Sequence, residues 1–149
     1  MNLVSLKSAF VAAAFLFAVG HTDKAPAHSL SGALGSRAQA TDLYQITCFA
    51  EAGGPATDHL SIRVRDNKPV RKPLVSVQVE KGSVATNRTD ATDGNATYSR
   101  DATIHGGDGA YQVLVDKSSA GAETYTLEFH CESSTDIHTG TQDVQLQNQ

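Results

Sequence analysis

Gly107–Cys131, GDGAYQVLVDKSSAGAETYTLEFHC, decides the fold. In its first arm Tyr111, Val113 and Val115 alternate with Gln112, Leu114 and Asp116. In its second arm Tyr125, Leu127, Phe129 and Cys131 alternate with Thr124, Thr126, Glu128 and His130. Period two gives each arm one face suited to a core. Ser118–Ala122 lies between them, with Gly121 free to take positive φ. The stretch therefore predicts a β-hairpin ending on a cysteine.

The same alternation recurs on both sides. Leu43–Ala50 places Tyr44, Ile46, Cys48 and Ala50 on one face. Leu60, Ile62 and Val64 alternate with Ser61, Arg63 and Arg65, and Val75, Val77 and Val79 with Ser76, Gln78 and Glu80. Asp66–Pro73 contains two prolines and breaks the ladder. Lys81–Asn95, KGSVATNRTDATDGN, is expected to be a polar loop with a turn at Asp93-Gly94. Ala96–Ser99 and Ala102–His105 are short strand candidates, and Gln142–Gln147 is a candidate edge strand. No window after residue 40 has helical apolar spacing, and the chain has no tryptophan. The expected fold is all-β: an Ig-like or jelly-roll-like antiparallel β-sandwich of about 7–8 strands.

A leader is expected before the domain. Lys7 supplies a positive n-region, and the apolar run Ala9–Val19 is too short to span a bilayer but suits a signal peptide. Ala25-Pro26-Ala27 and Ala38-Gln39-Ala40 both fit the small-x-small cleavage pattern. The second lies directly before a strand-like segment, which places the leader at 1–40 and the sandwich at 41–149. Cleavage at 27 is the alternative and would leave 28–40 as a flexible tail. Of 12 basic and 16 acidic residues, 9 and 15 fall after position 40, a balance that argues against nucleic acid as a partner. Export permits a disulfide, and two cysteines allow one intramolecular pairing, Cys48 with Cys131.

Several short motifs resemble the bacterial pre-peptidase C-terminal domain. They are Asp42-Leu43-Tyr44, Asp58-x-Leu60, Gly109-x-Tyr111-x-Val113-x-Val115 and Gly121-x-x-x-Tyr125-x-Leu127, spread over Asp42–Cys131. The resemblance implies a small jelly-roll-like sandwich acting as an accessory or substrate-binding module of secreted proteases. The chain departs from that pattern in two ways: residues 1–41 hold no protease, and it carries a cysteine pair the family does not require.

No G-x-S-x-G, H-E-x-x-H, C-x-x-C or phosphate loop is present, so a non-catalytic protein is expected. Three groups are candidate sites. Asp90, Asp93 and Asn95 share one polar loop that could offer calcium its hard oxygen ligands, against the alternative of a solvated turn. His130 points away from the cysteine face of its strand and could meet His138 from the following loop around copper or zinc. Arg63, Arg65 and Lys68, with Arg71 and Lys72 beyond, form a basic cluster suited to an anionic glycan, a lipid headgroup or an acidic partner.

These features lead to a small exported binding or accessory module of the bacterial envelope or extracellular space. Its partner is an unidentified protein, glycan or cell-surface ligand, and calcium is its candidate cofactor. A periplasmic metal-handling protein and an assembly subunit offering an edge strand are the alternatives.

Overall fold

The computed structural model describes residues 28–70 and 73–149. The expected leader core and the first cleavage motif fall on 1–27, outside the described residues, as do Arg71 and Lys72. The described chain contains nine strands: β1 His28–Leu34, β2 Asp42–Phe49, β3 His59–Lys68, β4 Val75–Lys81, β5 Val84–Thr89, β6 Ala102–Ile104, β7 Gly109–Lys117, β8 Glu123–Glu132 and β9 Gly140–Gln147. They form two antiparallel sheets, ordered β1-β8-β3-β6 and β5-β4-β7-β2-β9. Among the described residues no helix is long and apolar enough to cross a membrane.

The core is what the alternation predicts. Tyr44, Ile46 and Cys48 of β2, Leu60, Ile62 and Val64 of β3, and Val75, Val77 and Val79 of β4 are all buried. Tyr111, Val113 and Val115 meet Tyr125, Leu127 and Phe129 in the same cluster. Cys48 and Cys131 are joined, with Cα atoms 5.6 Å apart. Because Cys48 lies on β2 and Cys131 on β8, the bridge pins one sheet to the other.

Three expectations are corrected. The central stretch is not a hairpin. β7 pairs with β2 and β4, whereas β8 pairs with β1 and β3 in the opposite sheet. Period two shows that both arms face a core, but it does not tell neighbours in one sheet from strands facing each other across the interior. The link Ser118–Ala122 is long enough to cross the roughly 10 Å between packed sheets.

The sandwich also does not start at residue 41. Segment 28–34 is the edge strand β1, with Gly32 opposite Tyr125 and Leu34 opposite Glu123, and Leu34 is buried. A flexible tail does not describe it either. Its Ser/Gly/Ala composition hid it, although the composition serves a purpose: a Cβ at Gly32 would come within 2.2 Å of the Tyr125 hydroxyl oxygen. Finally, Lys81–Asn95 is half strand. Gly82 at φ +60° turns the chain, and β5 returns along β4 as an exposed polar edge. Ala96–Ser99 forms no strand.

Candidate functional site

β3 begins, and β8 ends, at the same end of the four-stranded sheet, because they pair antiparallel with His59 opposite Glu132. Strand alternation turns His130, Glu132 and Glu128 outward while Cys131 and Phe129 face the core. The chain after β8 then bends back. The Thr139 amide donates to the Cys131 carbonyl, and His138 bridges to Glu132.

These placements set four histidines in a line with carboxylates between them. His105 Nδ1 lies 2.6 Å from Asp58 Oδ2, which is also 3.1 Å from His59 Nδ1. The other nitrogen of His59 lies 3.1 Å from Glu132 Oε2. Glu132 Oε1 is 3.5 Å from His138 Nε2. The His138 and His130 rings meet edge to face at 4.8 Å, and His130 Nε2 is 3.5 Å from Glu128. Hydrogen bonds from His105 and His59 hold the Asp58 carboxyl below its usual range. His59, in the middle of the row, is buried, whereas His105 at one end is exposed and His138 and His130 at the other are half-buried.

Within this row His130, Glu132 and His138 bring one ligand atom each to within 4.8 Å of one another. Two imidazoles and a carboxylate suit zinc or copper better than calcium. His59 stands on the far oxygen of Glu132, where an outer partner orients a ligating carboxylate. Asp58–His59–His105 and His59–Glu132–Asp136 are overlapping groups of the same kind. The expected pair His130 and His138 is thus brought together, and Glu132, His59, His105, Asp58 and Asp136 are additional. The H-x-E spacing of His130 and Glu132 on one strand face was a readable signal.

The calcium loop is divided. Asp90 is buried and structural: its carboxylate accepts from the Asp66 and Thr92 amides. Asn95 caps its own turn by accepting from the Thr97 amide. Asp93 turns instead toward Asp66 and Glu123, so Asp90, Asp93 and Asn95 do not form one ligand set.

The basic face is largely committed to internal contacts. Arg63 pairs with Glu128, and the Arg63 and Arg65 guanidinium carbons lie 4.8 and 5.0 Å from the Tyr98 ring centroid. Arg65 also donates to Asn67 and Thr126. Lys68 is exposed at the end of β3.

Compared with family models and with curated proteins, the chain matches none.

Proposed function

We propose that this chain is a small exported, non-catalytic sandwich module of the bacterial envelope or extracellular space that binds a transition-metal ion, zinc or copper. The observation that carries the reading is the convergence of His130, Glu132 and His138 within 4.8 Å, backed by His59 on the same carboxylate. Export is supported by the positive, then apolar, N-terminal sequence and by the inter-sheet disulfide. The pre-peptidase-like motifs, Asp42 to Leu127, support an accessory role alongside other secreted proteins. A second reading, an assembly subunit, is favoured by β9, an edge strand with Val144 and Leu146 exposed.

Calorimetry on chelator-stripped protein tests the metal reading. Zinc at pH 7.5 should bind one to one, and acidification to pH 5.5 should weaken it as imidazoles take up protons. His138→Ala should cost more than the roughly 10–100-fold that an outer partner contributes. Equal binding by parent and variant would remove the assignment. Concentration-dependent self-association in the absence of metal would favour the edge-strand reading.

A further inference from the structure

The opposite end of the β3–β8 pair holds a second cluster of different chemistry. Asp66 lies in phase with Leu60, Ile62 and Val64 and so points into the core. Glu123, the first residue of β8, is in phase with Tyr125 and Leu127 and likewise points inward. Both are essentially inaccessible, at 0% and 1% exposure. The loop after β5 folds over them and adds Asp93. It is tied down by the Gly94 amide on the Asp66 carbonyl and the Asp66 amide on Asp90. Asp66, Asp93 and Glu123 each offer an oxygen within 4.8 Å of the others.

Four of these oxygens are buried with no hydrogen-bond partner among the described residues: Asp66 Oδ1, Asp93 Oδ1 and both oxygens of Glu123. The remaining Asp66 oxygen accepts from the Val75 amide. Unpaired buried carboxylate oxygens are costly, and their convergence calls for a positive charge. Lys117 supplies part of it. Its ammonium donates to the Gly35 and Gly121 carbonyls and acts on Glu123 through space. Among the described residues, one ammonium against three carboxylates leaves a deficit of the size that a divalent cation would supply.

We propose that Asp66, Asp93 and Glu123 form a buried binding site for one calcium ion, at the end of the sandwich opposite the histidines. All candidate donors are hard oxygens, and Glu123 has both of its own free for bidentate ligation, which calcium accepts. Magnesium keeps most of its waters and demands a strict octahedron, so it suits a dry, carboxylate-walled site less well. The site uses Asp93 of the turn noted in the sequence but takes its other ligands from the two strands. It does not depend on the histidine cluster, because β3 separates Asp66 from His59 by roughly 20 Å.

Thermal melts of the full chain at pH 7.5, stripped with chelator and then given calcium chloride, are the test. Calcium at millimolar excess should raise the melting temperature by at least about 5 °C, and calorimetry should give one site. Glu123→Gln should abolish that rise. Asp93→Asn, at a position only partly buried, should weaken it strongly and serves if Glu123→Gln does not fold. His138→Ala should keep the full rise, which separates this site from the zinc assignment. No calcium-dependent rise in the parent, or an undiminished rise in Asp93→Asn, would overturn the site. An equal rise with magnesium would overturn the assignment to calcium.

Discussion

Glu123 and Asp66 are carboxylates at positions where the strand pattern calls for apolar residues. Burial, reinforced for each by the other acids, pushes Glu123 up to about 7 and Asp66 up to about 6. Asp66 faces Asp90 and Asp93, and Glu123 faces Asp66, Asp93 and the Lys117 ammonium. A raised carboxyl holds its proton more tightly in the folded state. Its contribution is therefore complete below the ordinary value near 4 and is lost as pH climbs through 6 and 7. Melts in chelator should fall between pH 5 and pH 8, and Glu123→Gln should flatten that fall. A parent profile as flat as the variant's would contradict the burial of these acids. Gly32 gives a second test. A methyl group there would overlap the Tyr125 phenol, whose hydroxyl is fixed by Asp42 at 2.5 Å and Tyr44 at 2.6 Å. Gly32→Ala should cost about 1–3 kcal/mol in denaturant unfolding. The inward phase of Asp66 and Glu123 was readable in the sequence. Their meeting with Asp93 was not, because it depends on how a loop folds across the end of the sheets.

At the scale of elements, every strand with clear alternation was legible, as was the pairing of Cys48 with Cys131. β1 and β5 were not. Both are edge strands, mostly exposed, whose sequences HSLSGAL and VATNRT carry little apolar period. An edge strand buries too little to impose a pattern on its sequence. β1 nevertheless covers the β8 edge, so a chain starting at residue 41 should melt well below one starting at 28 or should aggregate through the bared strand. Equal melting temperatures for the two would show that β1 contributes nothing. The disulfide acts between elements too. It closes a span of 83 residues, for which chain entropy assigns about 4 kcal/mol. The double variant Cys48→Ser, Cys131→Ser should melt roughly 10–20 °C lower. Alkylation of the denatured, unreduced parent should find no free thiol.

For the molecule as a whole, β3 and β8 act as a beam with imidazoles and carboxylates gathered at one end and carboxylates alone at the other. On the two proposals above, zinc or copper and calcium would be sorted by position as well as by donor type. The order in which the strands pair has a consequence in time. Among the described strands only β4 and β5 are neighbours in both sequence and sheet. β1 waits for β8, and β2 stands between β7 and β9. A chain emerging from a ribosome thus has one hairpin to make, β4–β5, until β6 is available to pair with β3 and β7 to pair with β2 and β4. Such wiring belongs among slow folders, with refolding of the oxidised protein expected in milliseconds to seconds by stopped-flow. Without β8, β1 has no partner and β3 is paired along one edge only, so the four-stranded sheet stays open until residue 132 is available.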